Sequence, residues 1–127
     1  MNPAELIDLT HPPAAVVTPP PEGTPDRMTR FHAALDWLIE RGEGFVLITI
    51  AGAEQEESPE DKKARALWMK ANVGRLAAVC RGFIYVEPDA ARRAAWEQRA
   101  MLMAKSFPIP MHFAGDLEAA LIQAARL

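Results

Sequence analysis

Two apolar runs flank a long amphipathic segment in the middle of the chain, and this pattern predicts a βαβ unit. The runs are residues 45–50 (FVLITI) and 83–86 (FIYV). Short apolar runs bounded by polar residues are typical of buried strands. Between them Ser58-Pro59 signals the start of a helix, because serine caps helix N-termini and proline is favoured at the first helical position. A right-handed crossover normally joins such strands, so we expect residues 45–86 to contain a parallel pair.

Similar patterns on either side predict the remaining elements. Two short apolar runs come first, and three more helical patterns follow, each opened by a recognisable capping phrase. The remaining predicted elements are strands at residues 6–9, 14–18 and 107–113, and helices opened by Thr24-Pro25-Asp26, by Glu87-Pro88-Asp89 and by Gly115-Asp116. The sequence therefore predicts an α/β fold with a mixed, mainly parallel sheet of four to five strands and about four flanking helices. We expect one domain over residues 1–127, with residues 1–10 loosely attached.

Composition and charge argue against three classes of protein: membrane-spanning, secreted and nucleic-acid-binding. The chain has 127 residues, half of them hydrophobic, which is ordinary for one globular domain. No apolar run approaches the roughly 18 residues that a membrane span requires. Residues 1–10 lack the basic start and apolar core of a secretory signal, so we expect a cytoplasmic protein. The net charge of −3, with cations dispersed among the acids, predicts no binding to nucleic acid.

The residue types that usually carry catalysis do not form a recognisable motif. The three histidines, His11, His32 and His112, lie on separate predicted elements, and no serine or cysteine has a nucleophile motif. Cys80 follows a run of small apolar residues, which favours a buried thiol over a reactive one. We therefore predict a non-enzymatic protein that needs no cofactor and binds no metal.

Several phrases resemble the bacterial SpoIIAA-like family, whose fold is that of the STAS domains and is related to the SEC14 lipid-binding fold. The similar phrases lie at residues 11–19, at residues 31–50, around Ser58-Pro59 with residues 68–72, and at Cys80-Arg81-Gly82. The resemblance covers residues from about 11 to 127. It implies a regulatory protein-interaction module, or alternatively a protein that binds or senses a lipid or another small apolar ligand.

The loop before the second helix is the first candidate docking site. In STAS proteins that antagonise anti-sigma factors, a phosphorylated serine lies at the start of the helix after a central strand. Ser58 is the nearest serine here, although the Asp-x-Ser phrase of those antagonists is missing. Ser58 is therefore either a helix cap or a phosphorylation switch. Glu54, Glu56 and Glu57 form either a permanently charged edge for a basic regulatory partner or a solvated loop.

The helix predicted at residues 90–105 carries the second candidate surface, because it has two apolar stripes. One stripe consists of smaller residues, Ala91, Ala95, Gln98 and Leu102. The bulkier stripe contains Trp96, Met103 and Phe107, and Met101 lies beside the small stripe. These four are the candidate residues for a ligand or homodimer surface. If the small stripe faces the sheet, the Trp96 stripe is exposed; otherwise Trp96 packs within the core. A closed apolar cavity beside this helix would favour a bound ligand.

Overall fold

The computed structural model describes residues 3–20, 23–50 and 58–127, and it is an α/β structure as the sequence predicts. A short 3-10 turn at Pro3–Leu6 and two consecutive strands come first, and helices and strands then alternate. In chain order the elements are β1 (Ile7–Asp8), β2 (Ala14–Val17), α1 (Arg27–Glu40), β3 (Phe45–Ile50), α2 (Pro59–Ala77), β4 (Cys80–Val86), α3 (Ala90–Met103), β5 (Met111–Ala114) and α4 (Leu117–Ala124). Among the described residues no helix combines the length and apolar character needed to cross a membrane.

The five strands form one mixed sheet in which spatial order follows chain order, β1-β2-β3-β4-β5. Strand β1 pairs antiparallel with β2, and the other three pairings are parallel. The predicted βαβ unit is confirmed, because Val46 pairs with Gly82 and Ile50 with Val86. A mainly parallel sheet needs cover on both faces, which explains the nearly continuous apolar character of β2, β3 and β4.

Alternate residues of each strand enter two separate cores. On one face the side chains pack with α1 and α2, and the buried members include Ala15, Val17, Leu35, Leu38, Phe45, Leu47, Leu76 and Phe83. On the opposite face they pack with α4, and the buried members include Ala14, Val16, Val46, Ile48, Ile84, Val86, Ala120 and Ala124. Right-handed crossovers that all advance in one direction place the connecting helices on one side of the sheet, so α4 is the element left to cover the other.

Helix α1 begins two residues later than the predicted capping phrase. Asp26 is the residue before the helix, has a left-handed backbone (φ 56°) and makes no side-chain cap bond. Thr24-Pro25 therefore lies in the preceding turn, and the prediction that it opens the helix is wrong. The guanidinium of Arg27 holds this end in place, because its Nε donates to the Pro20 carbonyl at 2.8 Å and its Nη1 lies 3.1 Å from the Asp61 carboxylate.

Strand β5 is shorter than its apolar run. The run at residues 107–113 includes Pro108 and Pro110, which have no N–H to donate to a neighbouring strand. Regular pairing with β4 therefore begins at Met111, although the Pro110 carbonyl already accepts from the Phe83 N–H at 2.8 Å. Ile109, between the two prolines, is buried in the core beside α1 and α2. The prolines thus limit the last strand to four residues at one edge of the sheet.

Candidate docking surfaces

Ser58 caps the N-terminus of α2, as one of the two interpretations of the sequence predicts. Its Oγ accepts the Asp61 N–H at 3.1 Å, and Pro59 occupies the first turn. Glu60 and Asp61 place negative charge at the positive end of the helix dipole. The helix-cap prediction is confirmed, and phosphorylation of this residue stays a prediction. Glu54, Glu56 and Glu57 lie outside the described residues, so the docking-loop prediction also stays a prediction.

The outward face of α2 combines one exposed apolar side chain with several lysines. This helix has 19 residues, of which Leu76 alone is fully buried within the described structure. Leu67 is 59% exposed in the middle of the helix. Side chains three and four positions apart share a face of a helix, so Lys63 and Lys70 lie on either side of Leu67. We call Lys62, Lys63, Leu67 and Lys70 the α2 face; all four are exposed.

The α2 face is basic in a chain that is acidic as a whole. Residues 59–77 contain five cations and two acids, a net charge of +3, against −3 for the whole chain. Asp61 pairs with Arg27, and Arg75 lies 3.6 Å from Asp36. For the three lysines of the face, the described part of the chain shows no ion pair. Their charges are therefore directed to solvent around Leu67.

The inward side of α2 rests on α1 through an aromatic stack. The His32 ring lies 5.1 Å from the Trp68 ring with an angle of 11° between their planes. His32 is buried and its Nε2 has no hydrogen-bond partner among the described residues. Burial lowers the pKa of His32, and the nearby Asp36 carboxylate opposes the shift. His32 is therefore a packed core residue.

Cys80, at the start of β4, is buried in the core that lies against α1 and α2. Its thiol donates to the Gly82 carbonyl at 3.3 Å, and burial raises the pKa of the thiol to about 11. Such a thiol carries almost no thiolate at neutral pH, which makes it a poor nucleophile. Over residues 3–20, 23–50 and 58–127, no three metal-binding side chains come together.

Helix α3 directs its bulkier stripe, which contains Trp96, toward the sheet. Trp96 is half-buried and meets the Tyr85 ring of β4 edge-on at 6.4 Å. Phe107 lies 5.7 Å from the Phe83 ring. The small-residue stripe is directed outward instead, with Leu102 85% exposed. Bulky aromatic groups fill the space above the sheet that alanines would leave empty, which explains the orientation.

The four candidate residues on this helix therefore divide between two environments. Trp96 and Phe107 pack inward, whereas Met101 and Met103 are 76% and 50% exposed. Two of the four, Met101 and Phe107, line an open groove of about 680 Å³ along the free edge of β5. The groove lies between α3 and α4, and its lining is Glu97, Ala100, Met101, Ala104, Phe107, Pro108, Ile109, Pro110, Met111, His112, Phe113 and Gln123.

Glu87, immediately after β4, is a buried acidic residue that the sequence pattern does not single out as a site residue. Its side chain has no solvent exposure, and within the described structure its Oε2 has no hydrogen-bond partner. Its Oε1 lies 3.3 Å from the Asp89 nitrogen and 3.5 Å from Arg92. The Arg93 guanidinium donates to its backbone carbonyl at 2.8 Å. The one sequence signal is a carboxylate directly at the end of an apolar strand.

Comparison with known proteins finds no matching family model, no matching curated protein and no matching solved structure. The resemblance to the SpoIIAA-like family therefore stays a prediction. The α/β class and the order of the elements rest on the structure itself.

Proposed function

We propose that this protein is a non-enzymatic interaction module that binds an acidic surface of a regulatory partner protein through the α2 face. The observation that carries the proposal is Leu67, exposed at 59% among three lysines without ion pairs in the described chain. An apolar side chain among charges of one sign suits docking, because the apolar group gives affinity and the charges give orientation.

The position of the α2 face in the fold supports this use. Helix α2 follows β3, which is the third of the five strands, and Ser58 is its cap. The resemblance to STAS antagonists implies a partner contact at the start of the helix after a central strand. The proposal keeps the helix but places the contact further along it, on the α2 face. The charge of that face is positive, opposite to that of the acidic edge that the sequence predicts for a basic partner.

The apolar-ligand alternative has less support. That hypothesis expects an enclosed cavity between the sheet and α3, with Trp96 among its walls. The groove beside α3 is open to solvent along β5, and Trp96 is not part of its lining. An open surface is better suited to docking than to holding a lipid away from water.

Binding of a partner tests the proposal when it is measured with variants that change one component of the α2 face at a time. The protein is used as bait in a lysate of the source organism, and a retained protein is then purified and titrated by calorimetry. Burying the exposed part of Leu67 contributes about 1–2 kcal/mol, so Leu67→Ala should weaken binding about tenfold. Replacing Lys63 and Lys70 with glutamate should weaken it further, and added salt should weaken wild-type binding.

Ile122 on α4 supplies the matched control, because it is similarly exposed on the other side of the sheet. Ile122→Ala should bind the partner as the wild type does. A partner whose affinity is the same for the wild type and for the Leu67 and lysine variants would contradict the assignment to this face. If Ile122→Ala lost binding and the Leu67 and lysine variants kept it, the site would lie on α4 instead.

A further inference from the structure

The groove along β5 has the size of a small-molecule site, and its charge has one sign. Its volume of about 680 Å³ lies within the range of about 300–1,000 Å³ that is usual for ligand pockets. The described residues that line it include one carboxylate, Glu97, and no lysine or arginine. Glu97 is exposed on α3 and has no ion pair within the described chain. Its negative charge is therefore available to a ligand in the groove.

The side-chain amide of Gln123, from α4, adds a second negative group to the lining. Its Nε2 donates to the Phe113 carbonyl at 3.2 Å. A carbonyl oxygen can only accept, so this bond fixes the orientation of the amide. The other end, Oε1, is buried and has no hydrogen-bond partner among the described residues. No donor balances the partial negative charge of this oxygen, and its effect is strong because it lies away from water.

Aromatic side chains supply much of the apolar part of the lining. Phe107 and Phe113 are half-buried, so each keeps some surface at the groove. The Phe113 ring stacks on the Tyr85 ring at 5.7 Å, which holds it in place from within the protein. Met101, also in the lining, is 76% exposed, and its flexible thioether adapts to ligands of different shapes. Aromatic rings attract cations through their faces as well as packing against apolar groups.

We propose that the groove along β5 binds a small organic cation, in which a positively charged amine is attached to a flat apolar body. The apolar body packs against Phe107 and Phe113. The amine is attracted by the Glu97 carboxylate and by the unpaired oxygen of Gln123 beneath the surface. This ligand matches both the sign of the charge and the aromatic character of the lining.

Other classes of ligand fit the same lining less well. An anion would meet the carboxylate of Glu97 without a lysine or arginine in the described lining to pair with. A lipid chain would stay partly in water, because the groove is open. An amine suits an open groove, since its charged group keeps part of its hydration while its apolar body is covered. The cost of burying an ion completely is thereby avoided.

Titration of the protein with three probes of similar shape and different charge tests this site. The probes are phenethylammonium, 2-phenylethanol and 3-phenylpropanoate, and binding is followed by the NMR signals of the backbone amides. We expect the cation to bind in the millimolar range, at least about fivefold more tightly than the alcohol, with the anion weakest. The signals of Ala100, Met111 and Phe113 should move. Work at about pH 8 limits the contribution of a protonated His112, which also lines the groove.

Substitutions on α3 separate the electrostatic from the apolar contribution. Glu97→Gln keeps the shape of an exposed side chain, and it should weaken binding of the cation about threefold while binding of the alcohol stays unchanged. Met101→Ala should weaken binding of both probes, because it removes apolar contact. Glu118→Gln is the matched control, since Glu118 is exposed on the neighbouring α4 and is not part of the lining. This variant should bind the cation as wild type does.

Three results would overturn the assignment. The first is equal affinity for the cation, the alcohol and the anion. The second is an unchanged affinity for the cation in Glu97→Gln. The third is the absence of signal changes along β5 and α3 with every probe in the millimolar range.

The groove and the α2 face are separate sites, because none of the residues of the α2 face lines the groove. Leu67→Ala should therefore bind phenethylammonium as wild type does, although it loses affinity for the partner protein. Glu97→Gln should in turn keep its affinity for the partner. The failure of one site is thus distinguishable from the failure of the other.

Discussion

Replacing Ser58 with alanine tests whether this serine serves as a structural cap. The substitution removes one hydrogen bond, from the Asp61 N–H to Oγ at 3.1 Å, and leaves that N–H to be satisfied by water. The backbone bond from the Lys62 N–H to the Ser58 carbonyl remains at 3.0 Å. Losses of this kind cost about 0.5–2 kcal/mol. Because Ser58 is exposed and water replaces the hydroxyl, we expect Ser58→Ala to lower the free energy of unfolding by about 1 kcal/mol.

The assay is equilibrium urea unfolding followed by circular dichroism at 222 nm, with thermal unfolding as a second measurement. For a domain of 127 residues, about 1 kcal/mol corresponds to a lowering of Tm by roughly 3–5 °C. Ser58→Asp is the matched control, because a carboxylate also caps a helix and suits the positive end of its dipole. Repulsion from the neighbouring Glu60 and Asp61 works against this gain, so we expect Ser58→Asp to lie within about 0.5 kcal/mol of wild type.

Two results would refute this reasoning. If Ser58→Ala changed the free energy of unfolding by less than about 0.3 kcal/mol, the cap bond would contribute nothing to stability. Equal destabilisation by alanine and aspartate would mean that the hydroxyl itself, rather than an acceptor at this position, is required. If Ser58→Asp kept full stability and lost binding to the partner, the phosphorylation hypothesis would gain support that the cap alone does not give.

Two further predictions concern the interior and the surface of the helical layer. Gly74 is helical and exposed, and a Cβ added there would meet no described atom within 4 Å beyond its chain neighbours and the backbone of its own helix. Gly74→Ala should therefore raise the free energy of unfolding, measured by urea unfolding, by about 1 kcal/mol. A decrease would show that α2 is not a regular helix at this point. His32 has a lowered pKa in the fold, so the unfolded chain takes up its proton first as pH falls. The stability that this residue contributes is fully present above about pH 6.5 and is lost below it, by at most about 1.4 kcal/mol per pH unit. His32→Phe keeps a ring against Trp68 but has no titrating group. Between pH 7.5 and 5.5 its free energy of unfolding in urea should therefore change less than that of wild type. Equal changes would contradict the lowered pKa of His32.

The central elements were predictable from sequence because local signals and packing requirements agree there. The apolar run at Phe45–Ile50 matches β3, and Ser58-Pro59 marks the beginning of α2. Capping by aspartate at residues 89 and 116 likewise sets the starts of α3 and α4, since each carboxylate accepts backbone N–H groups of the first turn. Where a short-range interaction decides the structure, the sequence contains the information.

The errors arose where a tertiary contact overrides the local signal. Thr24-Pro25 looks like a helix start, yet the contacts of Arg27 with Pro20 and Asp61 hold the chain in a turn there. The orientation of α3 depends on which stripe fits against Tyr85, and periodicity alone treats both stripes alike. The basic α2 face and the β5 groove were missed for a similar reason: each depends on which side chains remain exposed after packing.

The order of the strands also bears on how the chain reaches its fold. Representative partners in the three parallel pairings are Ala14 with Val46, Val46 with Gly82, and Phe83 with Met111. Their separations are 46 − 14 = 32, 82 − 46 = 36 and 111 − 83 = 28 residues. Each new strand therefore closes a loop of similar, moderate length onto the strand that came before it, with no distant partner to find. During synthesis the sheet can grow in the order in which the ribosome releases it, and β5 is the last strand to be added.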